Sequence, residues 1–363
     1  MSSRKNPVEL RDLAYIHAKT REEFEILSGN TILFTGANGF LGYYLVKSIL
    51  AWNDINPKKK IQVYALDNFP KGVPKWLFPR DDLKIVKKDI TKYTPTADQN
   101  FDYIIHAASI ASPIFYRQYP IETINANVLG LYNILEYMVS RKKTKIPVKG
   151  LLFFSSSEIY GDPTAGNIPT PETYRGNVSC TGPRACYDES KRFGETLCVN
   201  FSQVYNLPIK IVRPFNNYGP GLKLDDGRVI PDIANDILHN RDIKLFSQGS
   251  STRTFCYIAD AIVGYIKILI RGKIGESYNI GVEKPEISMY DLAEKMRQLS
   301  IKRFGYSGKI IREKSGDKNY LTDSPNRRCP NINKAKQDLD FKPQILLDEG
   351  LTNTLFWYQD NLK

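Results

Sequence analysis

Tyr187 and Lys191 stand four residues apart in the run ACYDESKRFGETL at 185–197. On a helix that spacing stacks both side chains on one face, where an ammonium can stabilise a phenolate. A free tyrosine titrates near ~10 and a lysine near ~10.4, so a phenol becomes a base at neutral pH only beside a positive charge. Lys191 can supply it. Alone, the pair would more readily be read as an ordinary solvated helix face, and its weight comes from the segments around it.

The run TILFTGANGFLG at 31–42 reads as an apolar strand, a tight glycine turn and the opening of a helix. Gly36, Gly39 and Gly42, spaced G-x-x-G-x-x-G, let backbone approach a pyrophosphate resting on the positive end of that helix. A second strand, IQVYALD at 61–67, ends in Asp67. An acid there suits the free ribose hydroxyls of NAD and repels the extra phosphate of NADP, so NAD is the expected cofactor.

Short runs rich in Ile, Leu, Val or Phe at 31–35, 61–66, 83–87, 102–106, 149–155 and 208–213 predict strands. Helical patterns at 40–52, roughly 121–141 and 185–205 alternate with them, the signature of an α/β, doubly wound, Rossmann-type parallel sheet. After Pro214 short helices mix with loops rich in Pro, Gly and Asp. The expected organisation is therefore an N-terminal extension at 1–28 of one or two helices, then an NAD-binding domain. That domain spans 29–215 plus the helical run near 257–275. A smaller C-terminal substrate-binding lobe takes 216–256 and 277–363, with the cleft at the carboxyl ends of the strands.

With 363 residues, 42% hydrophobic and 25% charged, the chain can bury one large core and a smaller lobe, which excludes disordered and fibrous classes. No apolar run reaches membrane-span length, and the charged start MSSRKNPVELRD has no signal-peptide core, so a cytoplasmic protein without a membrane partner is expected. Five cysteines without C-x-x-C spacing read as reduced thiols, and three histidines form no metal-ligand cluster, so no metal is expected. The net charge of +12 is scattered among acids, which argues against a nucleic-acid partner and suits an anionic diphosphate substrate.

Taken together, TGANGFLG at 35–42, LDNF at 66–69, HAAS at 106–109, SSSEIYGDP at 155–163 and GPRACYDESKR at 182–192 carry a resemblance. RPFNNYGP at 213–220, DGRVIP at 226–231, STRTFCYIAD at 251–260 and NRRCPNINKAK at 326–336 extend it. Over about residues 30–360 the chain resembles the extended short-chain dehydrogenase/reductase family, most closely its UDP-glucuronate decarboxylases. The resemblance implies that Tyr187 takes the proton from a sugar C4 hydroxyl while hydride passes from C4 to NAD. Lys191 would lower the Tyr187 pKa and hold the nicotinamide ribose, and Ser156 would hydrogen-bond the same sugar hydroxyl. It also assigns cofactor contacts to Phe40, Leu41, Asn68, Asp89, Ile90, Ala107, Ser109 and Pro214.

A C4 ketone beside a C5 carboxylate is a β-keto acid, which loses carbon dioxide through an enolate before hydride returns. Nucleotide-sugar 4,6-dehydratases place an Asp-Glu pair where this chain has Ser157 and Glu158; the missing acid argues against dehydration, and Glu158 would order a water or help protonate C5. Asn216, Arg228, Arg253 and Arg328 resemble the residues that hold the sugar, diphosphate and nucleotide ribose, with Arg327 leaving the register of the last one open. Two cations usual in the decarboxylases are absent: Asn125-Ala126-Asn127 replaces a segment ending Lys-Thr-Asn, and Gly221 replaces an Arg. A 4-epimerase or dehydratase acting on another nucleotide sugar is therefore the alternative. Related enzymes pair through two helices per subunit, so a homodimer is expected through the helices near 121–141 and 185–205, which carry Leu131, Leu135, Phe193, Leu197 and Phe201.

Asp67→Ala should weaken NAD binding and relax the discrimination against NADP. Unchanged affinity for both cofactors would make Asp67 a structural residue only.

Overall fold

The computed structural model describes residues 6–96 and 98–361, so residues 1–5 of the N-terminal extension lie outside the described residues. Among these, β1 (Thr31–Thr35), β2 (Gln62–Asp67), β3 (Leu83–Lys87), β4 (Tyr103–His106), β5 (Gly150–Phe154), β6 (Ile209–Pro214) and the strand Ser277–Ile280 form one parallel sheet. The spatial order is Ser277–Ile280, β6, β5, β4, β1, β2, β3. Strand order reverses between β1 and β4, and that switch point opens a crevice at the carboxyl ends of both strands.

The strands are apolar on both faces because helices cover both. Ile32 and Phe34 of β1 enter one core while Leu33 enters the other, and β5 splits the same way, with Leu152 and Phe154 on one side and Leu151 and Phe153 on the other. The first core takes α1 (Pro7–Lys19), α2 (Arg21–Leu27) and α3 (Phe40–Ile55). After α4 (Pro113–Gln118), α5 (Pro120–Lys142) and α6 (Ala185–Tyr205) pack on the opposite face. The remaining helices are α7 (Val229–Leu238), α8 (Ile258–Arg271), α9 (Met289–Phe304), α10 (Asn333–Leu339) and α11 (Leu347–Asn361). Among them α8 is almost wholly buried and returns to the sheet, as its apolar sequence predicts.

Two parts of the architecture depart from the sequence reading. Residues 277–280, assigned above to the substrate lobe, are instead the edge strand of the central sheet, paired with β6 from Ser277↔Ile211 to Ile280↔Pro214. Ser-Tyr-Asn-Ile has no apolar run to announce a strand; its place comes from pairing. The substrate-side chain also builds small sheets of its own, in which Thr252–Arg253 lies between Ile287–Ser288 and Arg327–Arg328. That pairing sets Arg328 directly beside Arg253.

Candidate active site

The turn after β1 folds as its glycines require. Gly36 has φ +79°, and a Cβ on it would lie 2.8 Å from the Ala107 backbone; a Cβ on Gly42 would lie 2.5 Å from the Ala37 carbonyl. The amides of Gly36 and Ala37 donate to the Leu66 carbonyl at 2.9 and 3.2 Å, tying the turn to the end of β2. Asp67 completes this junction, accepting from the Asn38 amide at 3.0 Å and from the Phe69 amide at 2.9 Å. Phe40, Leu41 and Gly42 open α3, and Ala107 and Ser109 follow β4 across the crevice. Asp89 caps a short 3-10 turn through the Thr91 amide, with Ile90 buried behind it, whereas Asn68 is exposed and Pro214 ends β6.

Tyr187 and Lys191 lie in the first two turns of α6, 7% and 3% exposed. The Lys191 ammonium donates to the Phe154 carbonyl at 2.8 Å and lies 5.9 Å from the centre of the Tyr187 ring. The Ser156 hydroxyl hydrogen-bonds the Tyr187 phenol and also accepts from the Glu158 amide at 3.2 Å, capping the 3-10 turn Ser157–Tyr160. Tyr187, Lys191 and Ser156 therefore converge as the sequence predicts.

Their electrostatics need burial as well as spacing. Burial raises the Tyr187 phenol above its ordinary value, even though the Ser156 hydrogen bond and the charges of Arg228 and Arg184 draw it down. Burial likewise pulls the Lys191 ammonium down to about 7. His106, whose Nδ1 meets the Thr35 hydroxyl at 2.9 Å, is pushed down to about 3 by burial and then by Lys191, so it stays neutral and leaves the site's charge to other groups.

Glu158 was expected to act on water or C5, and its surroundings are more cationic than the sequence suggested. Its carboxylate is bound by two guanidiniums, Arg184 on one oxygen and Arg328 on the other. Arg328 also reaches the Ser157 hydroxyl at 3.4 Å. Of the two neighbouring arginines, Arg328 is buried whereas Arg327 is exposed and paired with Glu286. Arg328, which the resemblance assigns to the diphosphate and ribose, meets the Glu158 carboxylate here. Arg253 spends its guanidinium on the Thr252, Pro325 and Asn326 carbonyls. Arg228 pairs with Asp226 and donates to the Ala111 carbonyl, and Asn216, at φ +39°, donates to the Thr254 carbonyl at 2.9 Å.

Sequence reasoning passed over two residues. Arg184 lay inside the quoted GPRACYDESKR motif, and its i,i+4 partner Asp188 was a readable signal. Tyr116 stacks on Tyr187 with ring centres 5.1 Å apart and planes 13° apart, and its hydroxyl is buried without a hydrogen-bond partner. No spacing rule links position 116 to 187.

The NAD dependent epimerase/dehydratase family matches residues 32–281. The chain belongs to that family. UDP-glucuronic acid decarboxylase 3 of Arabidopsis thaliana is 36% identical over 325 residues, spanning 88% of this chain and 86% of that protein. An epimerase from Methanothermobacter thermautotrophicus shares the fold with a TM-score of 0.78 at 25% identity, over 95% of this chain and 97% of the other. The dTDP-glucose 4,6-dehydratase of Bacillus anthracis, solved with NAD, has a TM-score of 0.73 at 23% identity, over 92% and 97% of the two chains.

The family is NAD dependent, and the cofactor of this chain is NAD. The residues fit it: the turn packs so closely on the Ala107 and Ala37 backbone that only glycine is accommodated at 36 and 42, and the buried Ser109 hydroxyl has no hydrogen-bond partner among the described residues. NAD, when bound, supplies the hydride acceptor and brings phosphate anions into the site. Among the described residues no group of three or more His, Cys, Asp or Glu could hold a metal ion, and no helix is long and apolar enough to cross a membrane.

Lys191 carries a measurable signature. Its folded pKa of about 7 lies below the ordinary 10.5, so the unfolded chain binds the extra proton between those values and stability from this group rises with pH across that window. Lys191→Met in NAD-stripped protein should melt higher than the parent at about pH 6, with the gap closing by about pH 10, while activity is lost. Parallel pH profiles of melting would show that Lys191 is not held in this state.

Proposed function

We infer that the enzyme oxidises a UDP-uronic acid at C4, releases carbon dioxide from C5 and reduces the resulting ketone, as a UDP-glucuronate decarboxylase does. The observation that carries this reading is Glu158 locked between Arg184 and Arg328 beside Ser156 and Tyr187. Elimination of water would require a second acid at position 157, and Ser157 cannot supply it. Identity to the Arabidopsis decarboxylase over most of both chains supports the same conclusion.

Each residue has a defined task. Tyr187 accepts the C4 hydroxyl proton as hydride leaves C4, and Ser156 shares that hydroxyl. The C5–carboxylate bond then breaks, its electron pair forming the C4–C5 enolate. A proton returns to C5 from a water held by Glu158, and hydride returns to C4 as Tyr187 gives its proton back. Arg184, on the Glu158 carboxylate, is the cation we assign to the substrate carboxylate in place of the lysine missing at Asn125 and the arginine missing at Gly221. Those two losses favour a 4-epimerase acting on a neutral sugar as the second reading. Arg228 and Arg253 remain our candidates for the diphosphate and ribose, with Asn216 for the sugar.

The protein pairs as a homodimer through α5 and α6. Leu131 and Leu135 are core, but Phe193 is 49% exposed, and Leu129 and Tyr132 stand open on the adjoining helix. All five cysteines are free, which suits a reducing cytoplasm.

Incubated with a panel of nucleotide sugars, the enzyme should convert UDP-glucuronate to a product lighter by the mass of carbon dioxide. Loss of water, or an isobaric product from a neutral nucleotide sugar, would replace the decarboxylase reading. Phe193→Asp should yield monomer on size-exclusion chromatography at micromolar protein, and an unchanged elution volume would move the interface elsewhere.

A further inference from the structure

Tyr43 lies in the opening turn of α3, immediately beyond the cofactor turn, and four other segments meet at its side chain. Trp76, from the loop after β2, stands edge-on to it at 5.0 Å, and Trp357 of α11 does so at 6.1 Å. Gly221, at φ +88°, presses its backbone against the ring so closely that a Cβ there would lie 2.5 Å from Tyr43 Cδ1. The Tyr43 hydroxyl donates to Glu9 of α1, and the Lys47 ammonium bridges the two, 2.6 Å from Glu9 and 2.8 Å from the phenol oxygen.

Helix α1 is itself bound into the molecule on several sides. Asp12 accepts from Tyr44 of α3 at 2.6 Å and from Tyr257, just before α8, at 2.8 Å, and Tyr15 donates to Asp260 of α8 at 2.5 Å. Arg11 reaches Asn353 of α11. The extension is thus a brace between the helix that receives the diphosphate and the helices behind the substrate side. Gly221, where the resemblance implies an arginine, instead has the Tyr43 ring in the space above it. The turn it belongs to leads from Asn216 to Arg228, our candidates for holding the substrate.

We propose that Tyr43, anchored by Glu9, is a positioning residue that locks the cofactor turn against the segment 216–228, so that the N-terminal helix governs how long NAD stays bound. The inference rests on the glycine turn holding NAD and is independent of which sugar is processed. Burial and the Glu9 charge keep the Tyr43 phenol protonated, so it acts as a donor throughout the neutral range.

The test is the rate at which purified, NAD-loaded full-length protein releases NAD into a trap of NAD-consuming dehydrogenase, with no sugar present. Glu9→Ala and Tyr43→Phe each remove the anchoring hydrogen bond and should release NAD about tenfold faster, the effect of losing a hydrogen bond to a charged group. Glu9→Gln keeps an acceptor and should restore release to within about twofold of the parent. Leu355→Ala, a core truncation in α11, controls for general destabilisation. Release rates equal to the parent in Glu9→Ala and Tyr43→Phe would overturn the proposal, as would the same acceleration in Leu355→Ala at matched melting temperature. Because release is read without substrate, a wrong substrate assignment leaves this result unaffected.

Discussion

An ammonium that is 3% exposed, with the Phe154 carbonyl as its hydrogen-bond acceptor, is the constraint from which the rest of this site follows. Burying such a group costs on the order of several kcal/mol, and among the described residues no carboxylate forms an ion pair with Lys191 to offset it. The fold accepts that cost because α6 is pressed hard onto β5. Gly194, one turn beyond Lys191, faces Phe153 so closely that a Cβ would lie 2.6 Å from the ring. On its other side α6 is held by α5, where Asn127 donates to Ser190 at 2.8 Å. Tyr187 and Lys191 therefore project into the crevice from a helix with little freedom to move.

The opposite wall is fixed by a buried polar network. Arg213 of β6 binds Glu195 with two nitrogens and donates to the Tyr160 hydroxyl at 2.7 Å, and Tyr160 donates onward to Asn279 at 2.8 Å. Asn279 in turn holds the Thr170 and Asn331 carbonyls. This ties the turn that carries Ser157 and Glu158 to β6, to the edge strand and to the segment that delivers Arg328. Fully paired networks of this kind rigidify a single arrangement. The Glu158 carboxylate and the Tyr187 phenol are thus set by one connected framework, because Glu195 belongs to α6, the helix that carries Tyr187.

What the sequence disclosed was local. An i,i+4 pair on α6, a glycine turn between an apolar strand and a helix, and an acid at the end of β2 are patterns within a few residues, and each lies where its spacing predicts. What it hid was assembled over distance. The two guanidiniums on Glu158 come from positions 184 and 328, Tyr116 meets Tyr187 across the cleft, and Asp12 finds its second tyrosine at position 257. The strand Ser277–Ile280 escaped because edge pairing, not apolar content, makes it a strand. The rise in the Tyr187 pKa was hidden for the same reason, since burial depends on the whole fold.

The central claim is that the Lys191 cation is what makes the Tyr187 phenol a base. It is tested most directly by titrating tyrosinate absorbance in NAD-loaded protein, with Tyr187→Phe subtracted to isolate the one phenol, and repeating the titration in a Lys191→Met background. The account predicts that Tyr187 ionises at a clearly lower pH with Lys191 present. Identical titration curves in the two backgrounds would contradict it.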